Sequence, residues 1–143
     1  MGDRITIWEY TTNNLNCVKT LKGHYESVKD IAQIESKNKE EFLLASVGED
    51  GMLKIWDIKK GRCKKTLYYD KPVMSVVFNA RLNGICYTVM DEGAKVLDIN
   101  NYKIIQEFGK THYSRLRQID LKGAETLVKY NYHGTIEFYE LIN

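Results

Sequence analysis

This chain of 143 residues has one proline, three cysteines and two tryptophans, and its 21 basic and 19 acidic side chains leave a formal charge of only +2. Each scarcity excludes something. So small a charge excess gives no argument for nucleic acid or anionic lipid as an obligatory partner. Cys17, Cys63 and Cys86 are odd in number and form no C-x-x-C pair, so neither a disulfide framework nor a zinc site is expected. No run approaches the roughly 18 apolar residues of a membrane-spanning helix. The opening "MGDRITIWEY" carries charges where a signal peptide needs an apolar core. A soluble intracellular protein, cytoplasmic or nuclear, without membrane contact is the expectation. No G-x-S-x-G, H-E-x-x-H or Gly-rich phosphate loop is present. No catalytic residue, cofactor or metal is therefore expected, and the three histidines fall at repeat positions.

What the chain has in abundance is tyrosine and glycine, ten of each, the composition of strands joined by tight turns. It also repeats itself. "KIWDI" (Lys54 to Ile58) is echoed by "TIWEY" (Thr6 to Tyr10), "KVLDI" (Lys95 to Ile99) and "EFYEL" (Glu137 to Leu141). Their marks Trp8, Trp56, Leu97 and Tyr139 are spaced 48, 41 and 42 residues apart. Six positions before the last three stand Asp50, Asp91 and His133; Asp50 and His133 directly precede glycine, as two-residue hairpin turns require. Cys17 and Cys63 are repeat echoes 46 residues apart, not a ligand pair.

A second echo matches Val73, Val76 and Phe78 to Leu116, Ile119 and Leu121. The first unit begins the same way with Val28 and Ile31, and Gln33 in the third place suggests a bulge there. The segment 28–44 has helix formers at helical spacing, but its sister segments do not, so strands near 27–35 and 42–47 are expected, followed by 51–58 and 63–67.

Repeats of about 40–45 residues, four strands each, with a Gly-His and a Trp-Asp mark, are the pattern of propeller blades. The chain resembles the WD-repeat family over nearly its whole length, closely from Leu21 to Leu67 and in degenerate form afterwards. The resemblance implies an all-β fold of WD-repeat β-propeller blades, an incomplete ring of about 13 short antiparallel strands. The expected divisions are 1–21 (last two strands of a blade), 22–67 (a well-kept blade), 68–108 (a degenerate blade) and 109–143 (a final blade lacking its fourth strand).

In that family a His, a Ser or Thr, an Asp and a Trp brace each blade. The matching residues are His24, Ser46, Asp50 and Trp56. In the next unit Asp70, Thr88, Asp91 and Leu97 are matched to these places, and in the last His112, Lys129, His133 and Tyr139. The two later blades are expected to rest mainly on apolar packing. The family's loops between fourth and first strands and between second and third strands open on one face. Here they carry Tyr25, Glu26, Glu49, Tyr69, Lys71, Glu92, Tyr113, Arg115 and Tyr132 as a candidate interaction face, Tyr and Arg being favoured interface anchors.

The function implied is a non-enzymatic protein–protein interaction scaffold, working with protein partners or with N-terminal blades missing from this sequence. A homodimer that closes the ring by exchanging the strand near Val18 to Leu21 is a further possibility. The alternative is a nucleic-acid or ribonucleoprotein-associated propeller using the basic turn 59–65, "KKGRCKK", where no aromatic is interleaved in the sequence.

Overall fold

The computed structural model describes residues 2–108, 115–121, 124–130 and 136–140, with side chains described through Gln118. The described residues form thirteen strands and no helix: β1 (Arg4–Tyr10), β2 (Leu15–Lys22), β3 (Val28–Ile34), β4 (Leu43–Gly48), β5 (Met52–Asp57), β6 (Arg62–Tyr68), β7 (Val73–Asn79), β8 (Gly84–Val89), β9 (Gly93–Asp98), β10 (Ile104–Phe108), β11 (Arg115–Leu121), β12 (Ala124–Tyr130) and β13 (Ile136–Glu140). They build four antiparallel sheets in chain order, of two, four, four and three strands, each sheet a plain meander. The segment 28–44 thus resolves into two strands and a loop, despite its helix-like spacing.

The hydrophobic pattern follows from stacking sheets face to face. The middle strands β4, β5 and β8 are buried at every position, because a neighbouring sheet covers each of their faces; such strands read as continuous apolar runs. Outer strands β2, β6 and β10 are largely exposed. Three cores lie between the four sheets. Ile5 and Leu21 of the first sheet meet Leu44 and Trp56 of the second. Ile34, Leu53 and Ile55 of the second meet Val76, Tyr87 and Leu97 of the third. Cys86, Ala94 and Val96 of the third meet Leu116.

The inner strands β3 and β7 share a device that ties sheet to sheet. Each has a register break near its start, after Val28 and after Val73. The bulge of β3 thus lies at Lys29, not at Gln33, and it recurs in β7. The residue after each bulge accepts a hydrogen bond from the backbone of the next sheet: Asp30 Oδ2 from Val76 N at 3.1 Å, and Ser75 Oγ from Leu116 N at 2.8 Å. Pairing also corrects the repeat alignment. Ile31, Val76 and Leu116 lie opposite Ser46, Tyr87 and Lys129, so Leu116 matches Val76 rather than Val73. The segment Val18 to Leu21 is held within the chain, with Leu21 opposite Ile5 and almost fully buried.

Candidate interaction surfaces

In the second sheet, four side chains join into one hydrogen-bonded line. Trp56 Nε1 donates to Ser46 Oγ at 2.8 Å, Ser46 Oγ lies 2.7 Å from His24 Nε2, and His24 Nδ1 lies 2.8 Å from Asp50 Oδ2. With a neutral ring, one direction satisfies every group: the Ser46 hydroxyl receives from Trp56 and donates to His24, which donates to Asp50. Asp50 also accepts from the backbone N–H of Tyr25 at 2.9 Å and of Met52 at 3.0 Å. The carboxylate thereby fastens the loop entering β3 to the turn between β4 and β5. Gly48 has no room for a side chain here: a Cβ would stand 2.9 Å from Ser27 O and 3.1 Å from His24 Nδ1.

The third sheet fills the same places differently. Tyr87 lies opposite Val76 and Lys95, as Ser46 lies opposite Ile31 and Lys54. Its hydroxyl is hydrogen-bonded to that of Tyr69, and the rings lie 5.8 Å apart. Tyr69 and Tyr87, not Asp70 and Thr88, therefore stand in for the His–Ser pair. Burial pushes both phenols above their ordinary range. Thr88 pairs instead with Ser75 at 2.9 Å. Lys95 contacts Glu107 at 2.8 Å and Glu92 at 3.8 Å. Burial draws its pKa down, but the bond and charge of Glu107 outweigh that and hold it above the lysine norm. The third sheet is thus tied by polar side chains as well as by apolar packing.

The strand connections gather into two rims. On the upper rim, backbone hydrogen bonds run from Glu49 N to Ser27 O, Tyr69 N to Gly51 O and Met90 N to Pro72 O. This rim carries Tyr25, 78% exposed, and the exposed Glu26, Lys71 and Glu92. Glu49 contacts Lys29 at 2.6 Å, and Lys71 contacts Asp91 at 3.7 Å. Tyr69 is half-buried in the pair with Tyr87, and Arg115 is half-buried at the start of β11. Tyr113, Tyr132, His112 and His133 lie outside the described residues, as do the side chains of Lys129 and Tyr139.

The lower rim holds the basic turn, where Ile58 N donates to Phe42 O at 2.8 Å. No aromatic is interleaved within the run, but aromatics flank it in space. Lys59 Nζ lies 5.0 Å from the centre of the Phe42 ring, and Lys65 Nζ 5.6 Å from that of Tyr102. Both rings arrive from other segments, so the run itself gives no sign of them. Among the described residues, no group of three or more His, Cys, Asp or Glu side chains is placed to hold a metal ion. No described helix is long and apolar enough to cross a membrane.

Four-stranded antiparallel meanders stacked face to face, inner strand to inner strand, define blades of the propeller type. Residues 15–57 match the family described as WD domain, G-beta repeat, and the chain is built of WD-repeat propeller blades. The chain is similar to the COMPASS component SWD3 of Saccharomyces cerevisiae, 27% identical over 117 residues, covering 76% of this chain and 36% of that protein. It is similar to the WD repeat-containing protein 89 homolog of Dictyostelium discoideum, 25% identical over 144 residues, covering 98% of this chain and 38% of that protein. It is also similar to the ribosome biogenesis protein BOP1 homolog of Caenorhabditis elegans, 40% identical over 80 residues, covering 56% of this chain and 11% of that protein. The chain thus spans well under half the length of these relatives.

Proposed function

We propose that the chain serves as a non-enzymatic scaffold for protein–protein interaction inside the cell, in cytoplasm or nucleus, as a propeller segment working with further blades or partner chains. The observation that carries this is the presentation of Tyr25. Its side chain is 78% exposed while its backbone N–H is pinned to the buried carboxylate of Asp50. A large ring held out on a fixed backbone loses little conformational freedom on binding. Glu26, Glu49 and Glu92 on the same rim favour a partner segment bearing Lys or Arg. The similarity to a COMPASS component, a protein named as part of an assembly, supports the reading. A photo-crosslinking residue at position 25 should capture a protein partner that Glu26→Lys with Glu92→Lys no longer binds. Equal capture from position 16, on the outer strand β2, would contradict it.

A second reading is a propeller associated with ribonucleoprotein. Two observations favour it: the aromatic rings beside the basic turn, and the similarity to a protein named for ribosome biogenesis.

A further inference from the structure

We propose that the lower rim of the second sheet, continued onto the turn after β9, is a binding surface for single-stranded nucleic acid. The proposal rests on the ribonucleoprotein reading and names where and how the strand is held. A chain of side-chain contacts makes the surface continuous. The Lys19 ammonium is hydrogen-bonded to the carbonyl of Lys59, and Lys59 lies over Phe42. Next to Phe42 in the chain, Glu41 contacts Lys64 at 3.1 Å. Lys64 and Tyr102 line one cleft between the second and third sheets, and Lys65 lies over Tyr102. Cations therefore alternate in space with two rings, although in sequence these come from four separate segments.

This arrangement suits a single strand. Its phosphates attract ammonium groups, and each base has a flat face for an aromatic ring. Phosphate draws Lys59 and Lys65 off the ring faces, and the uncovered rings stack on bases. An acidic peptide would satisfy the lysines but leave the Phe42 ring and the outer side of the half-buried Tyr102 ring without a partner. Phe42 is already 48% exposed. Glu41 is the local counter-charge: hydrogen bonds from Lys64 and Ser36 hold its pKa below the usual carboxylate range, so it stays ionised and phosphate must compete for Lys64.

Tyr102 supplies the independent observation. It has φ of 58°, at the turn position where the second sheet has Gly61 with φ of 65°. A left-handed backbone is costly for a residue with a side chain and free for glycine. The third sheet bears that cost and places a ring beside the lysines of its neighbour.

The test is a titration of a labelled single-stranded uridine oligomer with the full 143-residue chain, followed by fluorescence anisotropy at two salt concentrations. A duplex of equal length and a polyglutamate peptide serve as comparisons. The single strand should bind more tightly than either. Tyr102→Gly, whose backbone Gly61 shows to be admissible, should weaken it about tenfold with little change in salt dependence. Lys64→Ala with Lys65→Ala should lower the salt slope by about one. Phe42→Ser, at an exposed position, gives the same readout should Tyr102→Gly fail to fold. Binding of the oligomer undiminished by either ring removal would overturn this surface while leaving the ribonucleoprotein reading standing. No binding of the oligomer would sink both, and polyglutamate binding as tight as the single strand would show an acidic-protein site instead.

Discussion

Ser46 is the hinge of the polar line in the second sheet, because its one hydroxyl serves both Trp56 and His24. Ser46→Ala leaves the Trp56 N–H and the His24 Nε2 buried without partners, at about 1–3 kcal/mol for each orphaned group. A urea denaturation midpoint well below that of the parent chain is the expected outcome; an unchanged midpoint would show that the line contributes nothing. The tyrosine pair of the third sheet makes a different prediction, in pH. Both phenols have their pKa raised by burial above the ordinary 10.0. Below pH 10 they are protonated in both folded and unfolded chains, and the pair contributes fully. Above it the unfolded chain releases those protons while the fold retains them, so stability falls as pH rises toward the folded values. An ultraviolet titration should find tyrosines ionising late, and Tyr87 should still ionise late in Tyr69→Phe, because burial is the larger cause of its shift; if all ten titrate near the ordinary value, the pair is not buried as described.

At the scale of elements, strand order was legible in the sequence because each repeat states the pattern again, whereas the Trp56 line, present in one repeat, followed from the resemblance to the WD-repeat family. "KIWDI" and its echoes fix the third strand, and the family pattern matched onto this sequence gives His24, Ser46, Asp50 and Trp56. In the next repeat the match slipped by one place: Ser46 lies ten residues before Trp56, and ten before Leu97 stands Tyr87, not Thr88. Thr88 looks like the expected Ser or Thr, with Asp70 standing where a His is expected, but backbone pairing puts Tyr87 one place earlier, opposite Lys95, and Tyr69 meets it. Two tyrosines can replace a histidine and a serine because hydroxyl meets hydroxyl across the larger span. The bulge was misplaced for a related reason: the apolar rhythm of β3 shows a slip but not which residue is extra, and only the pairing of Val28 with Gly48 and Asp30 with Val47 locates it at Lys29. The rings beside the basic turn were illegible since Phe42 is brought there by the pairing of β4 with β5 and Tyr102 by the stacking of the third sheet on the second. On the edges, β6 carries Arg62, Lys64 and Lys65 along its exposed length, charges that discourage further strand pairing.

Over the whole molecule, the second and third sheets each hold a buried polar tie of their own, and apolar faces, with the Asp30 and Ser75 hydrogen bonds, join sheet to sheet. The first sheet shows what this joining implies at an uncovered face. Trp8 stands where the second sheet has Trp56, yet Trp8 is 54% exposed and Trp56 only 2%. Tyr10 and Leu15 nearby are exposed as well, an apolar surface of the kind that marks contact sites. The central claim is that the second and third sheets are braced separately while packing as one array, and hydrogen–deuterium exchange on the parent chain and Tyr87→Phe tests it most directly. In the parent, amides of the buried strands β4, β5 and β8 should exchange slowest, and those of β2 and β10 fastest. In Tyr87→Phe, protection should fall across β7 to β10 and hold across β3 to β6. Equal loss in both sheets, or none in either, would contradict separate bracing.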